Sequence, residues 1–172
     1  MKKSAILRSA LFAGLLVILP FIISSVIYRN PPADDLAGAW KGKVQFRTGE
    51  FSEVKDLEFM WVFNAGGTLT ESSNYDGAPP VPPAYGIWRK TGENRYEARY
   101  EFYWTNIPAA LEDITESGGF TPGGYGILLE KITLAQDGMS YRSEIKFDSF
   151  DNTGKQIVFG DPAEAEAQRM KF

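Results

Sequence analysis

Acidic side chains are the main candidates for chemistry in this chain, because it contains no histidine and no cysteine. Their absence excludes Ser-His-Asp triads, thiolate nucleophiles and cysteine-based zinc sites. Enzymes built on carboxylates, tyrosine or lysine are still open. Asp148 and Asp151 lie close together across an expected turn, and Glu112 and Asp113 are neighbours in a long loop. A glycosidase would need two carboxyl groups at a set separation across a cleft, and sequence spacing does not supply that separation.

We interpret these carboxylates as structural. Asp148 and Asp151 are typical of hairpin residues, and they fall short of the ligand count of a calcium loop. The glycines between residues 118 and 124 lack the strand-then-helix context of a phosphate-binding loop. The sequence therefore predicts no catalytic residue, no metal site and no cofactor, and it favours a protein that is not an enzyme.

The segment Arg95–Trp104 indicates which elements must position any site. Its even positions are apolar or aromatic, and its odd positions are charged apart from Tyr103. This period of two predicts a strand with one buried face and one wet face. The same alternation recurs in Ala39–Arg47, in residues 57–63 and in Ser140–Ser149. Glycine- and aspartate-containing turns separate these segments, so we expect eight or nine short strands.

A run of short strands joined by hairpin turns favours an all-β fold. We predict a single antiparallel up-and-down β-barrel of eight to nine strands, because closure leaves no free edge; a two-sheet sandwich is the alternative. Gln156–Gly160 and Ala163–Phe172 are expected to be separate strands, the second despite an Ala/Glu-rich sequence that favours helix. Tyr75–Ala84 and Thr105–Tyr125 are expected to be loops.

The N-terminal region has a different character. A basic head precedes an uncharged run from Leu11 to Tyr28. This pattern predicts a hydrophobic helix that acts as an uncleaved signal anchor, in the membrane through residues 9–28. A secretory signal cleaved near Ile23–Ser25 and a buried core helix are the alternatives. We therefore expect residues 1–30 to be a signal anchor or signal peptide. Residues 36–172 would form the barrel domain, either facing the periplasm from a bacterial inner membrane or secreted to the periplasm.

Charge and composition limit the partners of this domain. The chain has a net charge of −4, and without residues 1–28 it has 15 basic against 22 acidic residues. An acidic domain without a basic stripe binds nucleic acid poorly, since phosphate neutralisation supplies most of that affinity. Aromatic residues make up 14% of the chain, which predicts a compact core and argues against disorder.

Two Gly-x-Trp motifs, Gly38-Ala-Trp40 and Gly86-Ile-Trp88, lie in the first and fourth predicted strands. A Gly-x-Trp that opens an antiparallel meander, with an arginine near the C terminus, resembles the lipocalin and wider calycin pattern. The layout is also similar to that of small bacterial lipocalin-like domains. The resemblance covers roughly Leu36 to Phe172 and implies that Trp40 closes one barrel end with Arg169 stacked on it. The chain departs from the family in lacking disulfides and a clear long helix before the last strands.

The aromatic faces of the predicted strands indicate a ligand site. We expect the ligand-binding residues to be Phe59, Trp61, Trp88, Tyr100, Phe102 and Trp104. An eight-stranded barrel has room for its own side chains or for one small ligand. The leading hypothesis is an envelope protein that holds a small apolar or lipid-like ligand. The alternative is a filled barrel that contacts another envelope protein through loops 75–84 and 105–125, and a barrel-type cyclase or isomerase is the third hypothesis.

Overall fold

The computed structural model describes residues 36–77, 79–110, 112–114 and 119–172. The predicted signal anchor, its cleavable alternative and the hydrophobic N-terminal helix lie outside these residues. Within the described ranges, no helix has the length and apolar character needed to cross a membrane.

Eight antiparallel strands form one closed barrel in chain order. The strands are β1 (Gly38–Phe46), β2 (Glu58–Phe63), β3 (Thr68–Ser73), β4 (Ala84–Lys90), β5 (Arg95–Asn106), β6 (Thr121–Leu134), β7 (Ser140–Asp151) and β8 (Gln156–Arg169). A 3₁₀ helix at Glu50–Glu53 lies between β1 and β2. Pairing of β1 with β8 closes the ring. The predicted up-and-down barrel is therefore confirmed, and the sandwich alternative is wrong.

The last strand differs from its predicted form. β8 is continuous from Gln156 to Arg169, where two separate strands were expected, so the barrel has eight strands. Gly160 adopts a φ of 66°, and the register between β7 and β8 shifts between Phe147 and Phe150. A bend at a glycine lets one strand change direction without ending, because glycine takes positive φ at little cost.

The expected loop at residues 105–125 is shorter than predicted. β5 continues to Asn106 and β6 begins at Thr121, so the connection spans residues 107–120. Gly123 and Gly124 of the expected loop are part of the β6 strand. A side chain at Gly123 would lie 2.1 Å from the Trp104 ring, so the bulky ring on β5 requires glycine on its neighbour.

Alternation along the strands decides which side chains fill the barrel. In β5, Tyr96, Ala98 and Tyr100 are buried, and Phe102 and Trp104 are half-buried, so the predicted inward face is confirmed. Charged side chains line the outer face, where Arg89 contacts Glu97 at 2.9 Å. Such exposed ion pairs contribute about 1 kcal/mol or less each. The fold therefore depends mainly on the packing inside the barrel.

Aromatic side chains fill one half of the barrel, which we call the closed end and which contains the start of β1. Trp40 is fully buried and packs edge-on against Tyr141, with ring centroids 5.0 Å apart. Its Nε1 donates a hydrogen bond of 2.9 Å to the Leu36 carbonyl. The Arg169 guanidinium lies 4.3 Å from the centroid of the Trp40 ring, a distance at which the cation and the ring attract each other.

Gly38 explains the first Gly-x-Trp motif in physical terms. Its φ is 141°, and a Cβ atom there would lie 2.6 Å from Arg169 Nη1. Arg169 Nη1 donates to the Ala37 carbonyl at 2.7 Å, and its Nε donates to the Gly138 carbonyl at 2.8 Å. The glycine leaves room for the arginine that covers the tryptophan, so the three residues act as one unit.

Candidate ligand-binding site

The half of the barrel opposite the closed end, which we call the open end, holds a cavity of about 950 Å³. Strands β1, β3, β5 and β7 run toward this end, and β2, β4, β6 and β8 run away from it. The 3₁₀ helix after β1 and the proline-containing segment between β3 and β4 also border the cavity. The cavity therefore lies between the barrel interior and three connections at its rim, the third being the one after β5, which contributes Ile107.

Large rings form the inner boundary of the cavity. Trp61 and Tyr100 are fully buried, and Trp61 Nε1 lies 3.4 Å from the Tyr100 hydroxyl oxygen, to which it donates. Trp61 also packs against Tyr141 with ring centroids 5.7 Å apart. These contacts separate the closed end from the cavity, so a ligand in the open end would not reach Trp40.

The cavity walls are mainly apolar and aromatic. Phe102 and Phe147 stack with an interplanar angle of 14° and centroids 6.0 Å apart. Gly126 makes this possible, because a Cβ atom there would lie 2.5 Å from the Phe102 ring. Phe59 and Leu128 also line the cavity. A flat or flexible apolar molecule would contact aromatic faces on several sides.

A buried carboxyl group lies just beyond the inner boundary. Glu130 is 1% exposed and accepts hydrogen bonds from the Tyr100 hydroxyl at 2.9 Å and from Ser143 Oγ at 2.5 Å. Burial raises the pKa of Glu130 from its ordinary 4.5 to about 7, while the hydrogen bonds from Ser143 and Tyr100 act in the opposite direction. Glu130 is not among the residues that line the cavity, so its carboxyl group belongs to the packed core of the barrel and not to the ligand site.

Glu71 is the carboxyl group that borders the inner part of the cavity. It lies deeper than Ser73, the other β3 residue in the lining, because β3 runs toward the open end. Glu71 is 5% exposed, and its Oε1 atom is buried without a hydrogen-bond partner. Burial raises the pKa of Glu71 well above its ordinary value, and the negative charges of Asp76 and Glu130 add to the rise.

The remaining charged residues of the cavity lining are acidic, and hydroxyl groups and one indole complete its polar side chains. Asp76 accepts hydrogen bonds of 2.6 Å from both the backbone N–H and the hydroxyl of Ser73. Glu50 and Asp161 also line the cavity, whereas its described lining contains no lysine or arginine. Trp104 lies farther along β5 toward the rim, and its Nε1 is buried without a partner. The cavity thus offers an acceptor at its inner end and a donor nearer its opening.

The six predicted ligand-binding residues occupy three different places. Phe59, Phe102 and Trp104 line the cavity, whereas Trp61 and Tyr100 form its inner boundary. Trp88 lies at the closed end, where its ring packs against Phe63 and Tyr96 and its Nε1 donates to the Asn64 carbonyl at 2.9 Å. Half of the predicted set therefore borders one space, and Trp88 does not approach it.

Sequence reasoning missed Glu71 and Glu130 as interior groups. The signal was present, because Leu69 and Glu71 share one face of β3, and Leu128, Glu130 and Ile132 share one face of β6. Strict alternation places both glutamates inside the barrel. A search for apolar positions alone overlooks such residues, although a carboxylate on an otherwise apolar face is unusual and informative.

Asp148 and Asp151 have structural surroundings. Asp148 Oδ1 accepts hydrogen bonds from Gln156 Nε2 at 2.7 Å and from the Gly160 backbone N–H at 2.8 Å. Asp151 Oδ1 accepts from the backbone N–H and the hydroxyl of Thr153 in the β7–β8 turn. The ranges that the structure covers contain no cluster of three or more acidic residues suited to a metal ion.

No protein-family model matches this sequence, and a comparison with curated proteins finds no match. The closed eight-stranded antiparallel barrel is compatible with a lipocalin-like fold.

Proposed function

We propose that the protein binds a small apolar or lipid-like molecule in the cavity at its open end. The observation that carries this proposal is a space of about 950 Å³ between the barrel interior and the rim of its open end. Protein interiors are close-packed and contain few voids larger than a water molecule. Ligand sites are typically concave, about 300–1,000 Å³ in volume, and mostly apolar with a few polar groups. The open end has these properties.

The distribution of side-chain size supports the proposal. At the closed end, the small inward residues of β8, among them Ala167, are offset by the rings of Trp40 and Tyr141. At the open end, Ser73 and Ser149 line the cavity together with Ala84, and the surrounding aromatic rings leave space between them. The filled-barrel hypothesis therefore describes the closed end but not the open end.

Apolar residues at the rim provide a route for an apolar ligand. Ile107 and Phe159 line the cavity and are each 72% exposed. Exposed apolar residues next to a pocket commonly mark a binding surface. An apolar molecule that approached the rim would keep contact with apolar side chains until it reached Phe59 and Phe102.

The proposal includes a lipocalin-like identity and a location in the bacterial envelope. Barrel topology and the contact between Trp40 and Arg169 support the first part. The apolar run within residues 9–28 and its basic head support the second.

The test is binding of a neutral apolar fluorophore, N-phenyl-1-naphthylamine, followed by energy transfer from the barrel tryptophans in the full-length protein. Val158 lines the cavity and packs against the core, so Val158→Trp should fill part of the space and weaken binding at least about tenfold. Ile87 is an exposed residue of β4, so Ile87→Trp adds the same ring elsewhere and should leave affinity unchanged. Absence of saturable binding by the unmodified protein, or equal binding by both variants, would refute the proposal.

A further inference from the structure

The unpartnered oxygen of Glu71 indicates the chemistry of the ligand. A buried polar atom without a hydrogen bond is costly, and native proteins satisfy nearly all such atoms. Glu71 Oε1 is buried and unpartnered at the inner part of a cavity that is large enough for a small molecule. A donor group on the ligand is the partner that would satisfy this atom.

The groups around Glu71 do not supply a positive charge. Four titratable groups interact electrostatically with Glu71. Two are the carboxyl groups of Asp76, shortly after β3, and Glu130 on β6. The other two are the phenols of Tyr100 on β5 and Tyr141 on β7. From β2 and β4, the residues paired with Glu71 are Trp61 and Ala84. Because every ionisable member of this set is acidic or phenolic, the inner cavity favours positive charge and disfavours anions.

The acidic character of the inner cavity continues toward its opening. Glu50, Asp76 and Asp161 line the cavity, and its described lining contains no lysine or arginine. A carboxylate or phosphate on a ligand would therefore meet like charge at the rim and again at the inner end. The apolar walls would accept an alkyl chain or a ring, so the polar end of the ligand decides selectivity.

We propose, on the basis of the binding function inferred above, that the cavity holds an amphipathic organic cation: an apolar body lies against Phe59, Phe102 and Phe147, and a protonated amine donates to Glu71 Oε1. An ammonium group supplies both the missing hydrogen-bond donor and the missing positive charge. Charge-assisted hydrogen bonds of this kind are shorter and stronger than neutral ones. Glu71 is thereby assigned as the residue that determines specificity.

Proton linkage gives this site a distinctive pH dependence. In the empty protein, Glu71 holds its proton to a higher pH than an exposed glutamate does, because burial and the nearby acids raise its pKa. A bound ammonium stabilises the ionised form and lowers that pKa again. Binding of the cation therefore releases a proton, and its affinity rises with pH until the amine itself loses its proton near its own pKa of about 10.

The experiment compares three probes that share an eight-carbon chain: octylamine, octanol and octanoate. Each displaces N-phenyl-1-naphthylamine from the full-length protein at pH 7.5, in one detergent throughout and below its own micelle concentration. We expect octylamine to compete at about tenfold lower concentration than octanol, and octanoate to be the weakest competitor. Equal competition by octanoate and octylamine would overturn the proposal.

Glu71→Gln keeps the shape of the side chain and removes its charge. In this variant the advantage of octylamine over octanol should disappear, as should the increase in octylamine affinity between pH 5.5 and 8. Glu144→Gln removes one negative charge from the outer face of β7 and should retain both properties. Survival of the octylamine preference in Glu71→Gln would refute the role of Glu71.

The two proposals fail in different ways. If N-phenyl-1-naphthylamine and octanol both fail to bind the unmodified protein, the binding function itself is wrong. If both bind and octylamine shows no advantage, the cavity binds apolar molecules, and only the inference of a cationic ligand is wrong.

Discussion

Glu130→Gln should make the stability of the barrel less dependent on pH. Glu130 is buried, and its pKa rises from 4.5 to about 7 in the folded state. Because the folded pKa lies above the unfolded one, the folded state holds the proton more tightly. This contribution to stability is fully present below pH 4.5 and is lost as pH rises through about 7.

The size of the effect follows from the same values. Each pKa unit corresponds to about 1.4 kcal/mol of stability. The rise from 4.5 to about 7 is therefore equivalent to about 3 kcal/mol for this group, with no discount for solvent screening because the side chain is 1% exposed. A glutamine can still accept from the Tyr100 hydroxyl through its oxygen and donate to Ser143 Oγ through its amide, so both present partners keep a hydrogen bond.

Urea denaturation of the unmodified protein, Glu130→Gln and Glu144→Gln at pH 5, 6, 7 and 8 measures this effect. The free energy of unfolding of Glu130→Gln relative to the unmodified protein should increase by about 2.5 kcal/mol between pH 5 and pH 8, because part of the full effect lies below pH 5. Glu144 is an exposed residue of β7, and its variant should track the unmodified protein. A difference between Glu130→Gln and the unmodified protein that does not change with pH would refute the reasoning, because Glu130 would then titrate like an exposed acid.

Two further predictions concern the closed end. A double-mutant cycle with Trp40→Leu and Arg169→Met should give a coupling energy of about 1 kcal/mol in urea denaturation, because the guanidinium lies 4.3 Å from the ring centroid; strict additivity would contradict this contact. Gly38→Ala should lower the free energy of unfolding by at least about 1 kcal/mol, since its φ is positive and the new Cβ would meet Arg169. Thermal denaturation measures this effect, with Gly66→Ala as the control, because Gly66 is at a turn with open space around it. An equal loss of stability in both variants would contradict the role of the Gly38 backbone and of its contact with Arg169.

The barrel could be predicted because alternation is a local property. The inward face of Arg95–Trp104 follows from five residues at every second position, and the same holds for Leu57 to Phe63 and for Tyr141 to Phe147. Continuity of β8 could not be predicted from the sequence, because Gly160 and Pro162 together are typical of a strand end. The observed pairing with β7 on both sides of Gly160 overrides that local preference.

The position and lining of the cavity could not be predicted, because they depend on which side chains meet across strands. Trp61 lies opposite Trp40 on β1 and opposite Glu71 on β3, and only this register places a glutamate beside the ring that limits the cavity. Residue type and strand face predict which aromatic side chains point inward, but they do not predict at which end of the barrel each one lies. Trp88 has the same type as Trp104, but β4 runs away from the open end and carries its tryptophan to the opposite end of the barrel.

The pairing between β1 and β8 determines when the barrel can close during folding. Every other pairing joins strands that are neighbours in the chain, so it can form as a hairpin soon after both strands exist. Pairing of Trp40 with Arg169 instead brings together the two ends of the domain, and contacts between distant residues slow folding. During synthesis, β1 therefore keeps an unpaired edge until the last strand has emerged. In that interval a second nascent chain can supply the missing edge, and the domain is then exposed to swapped dimers and aggregation.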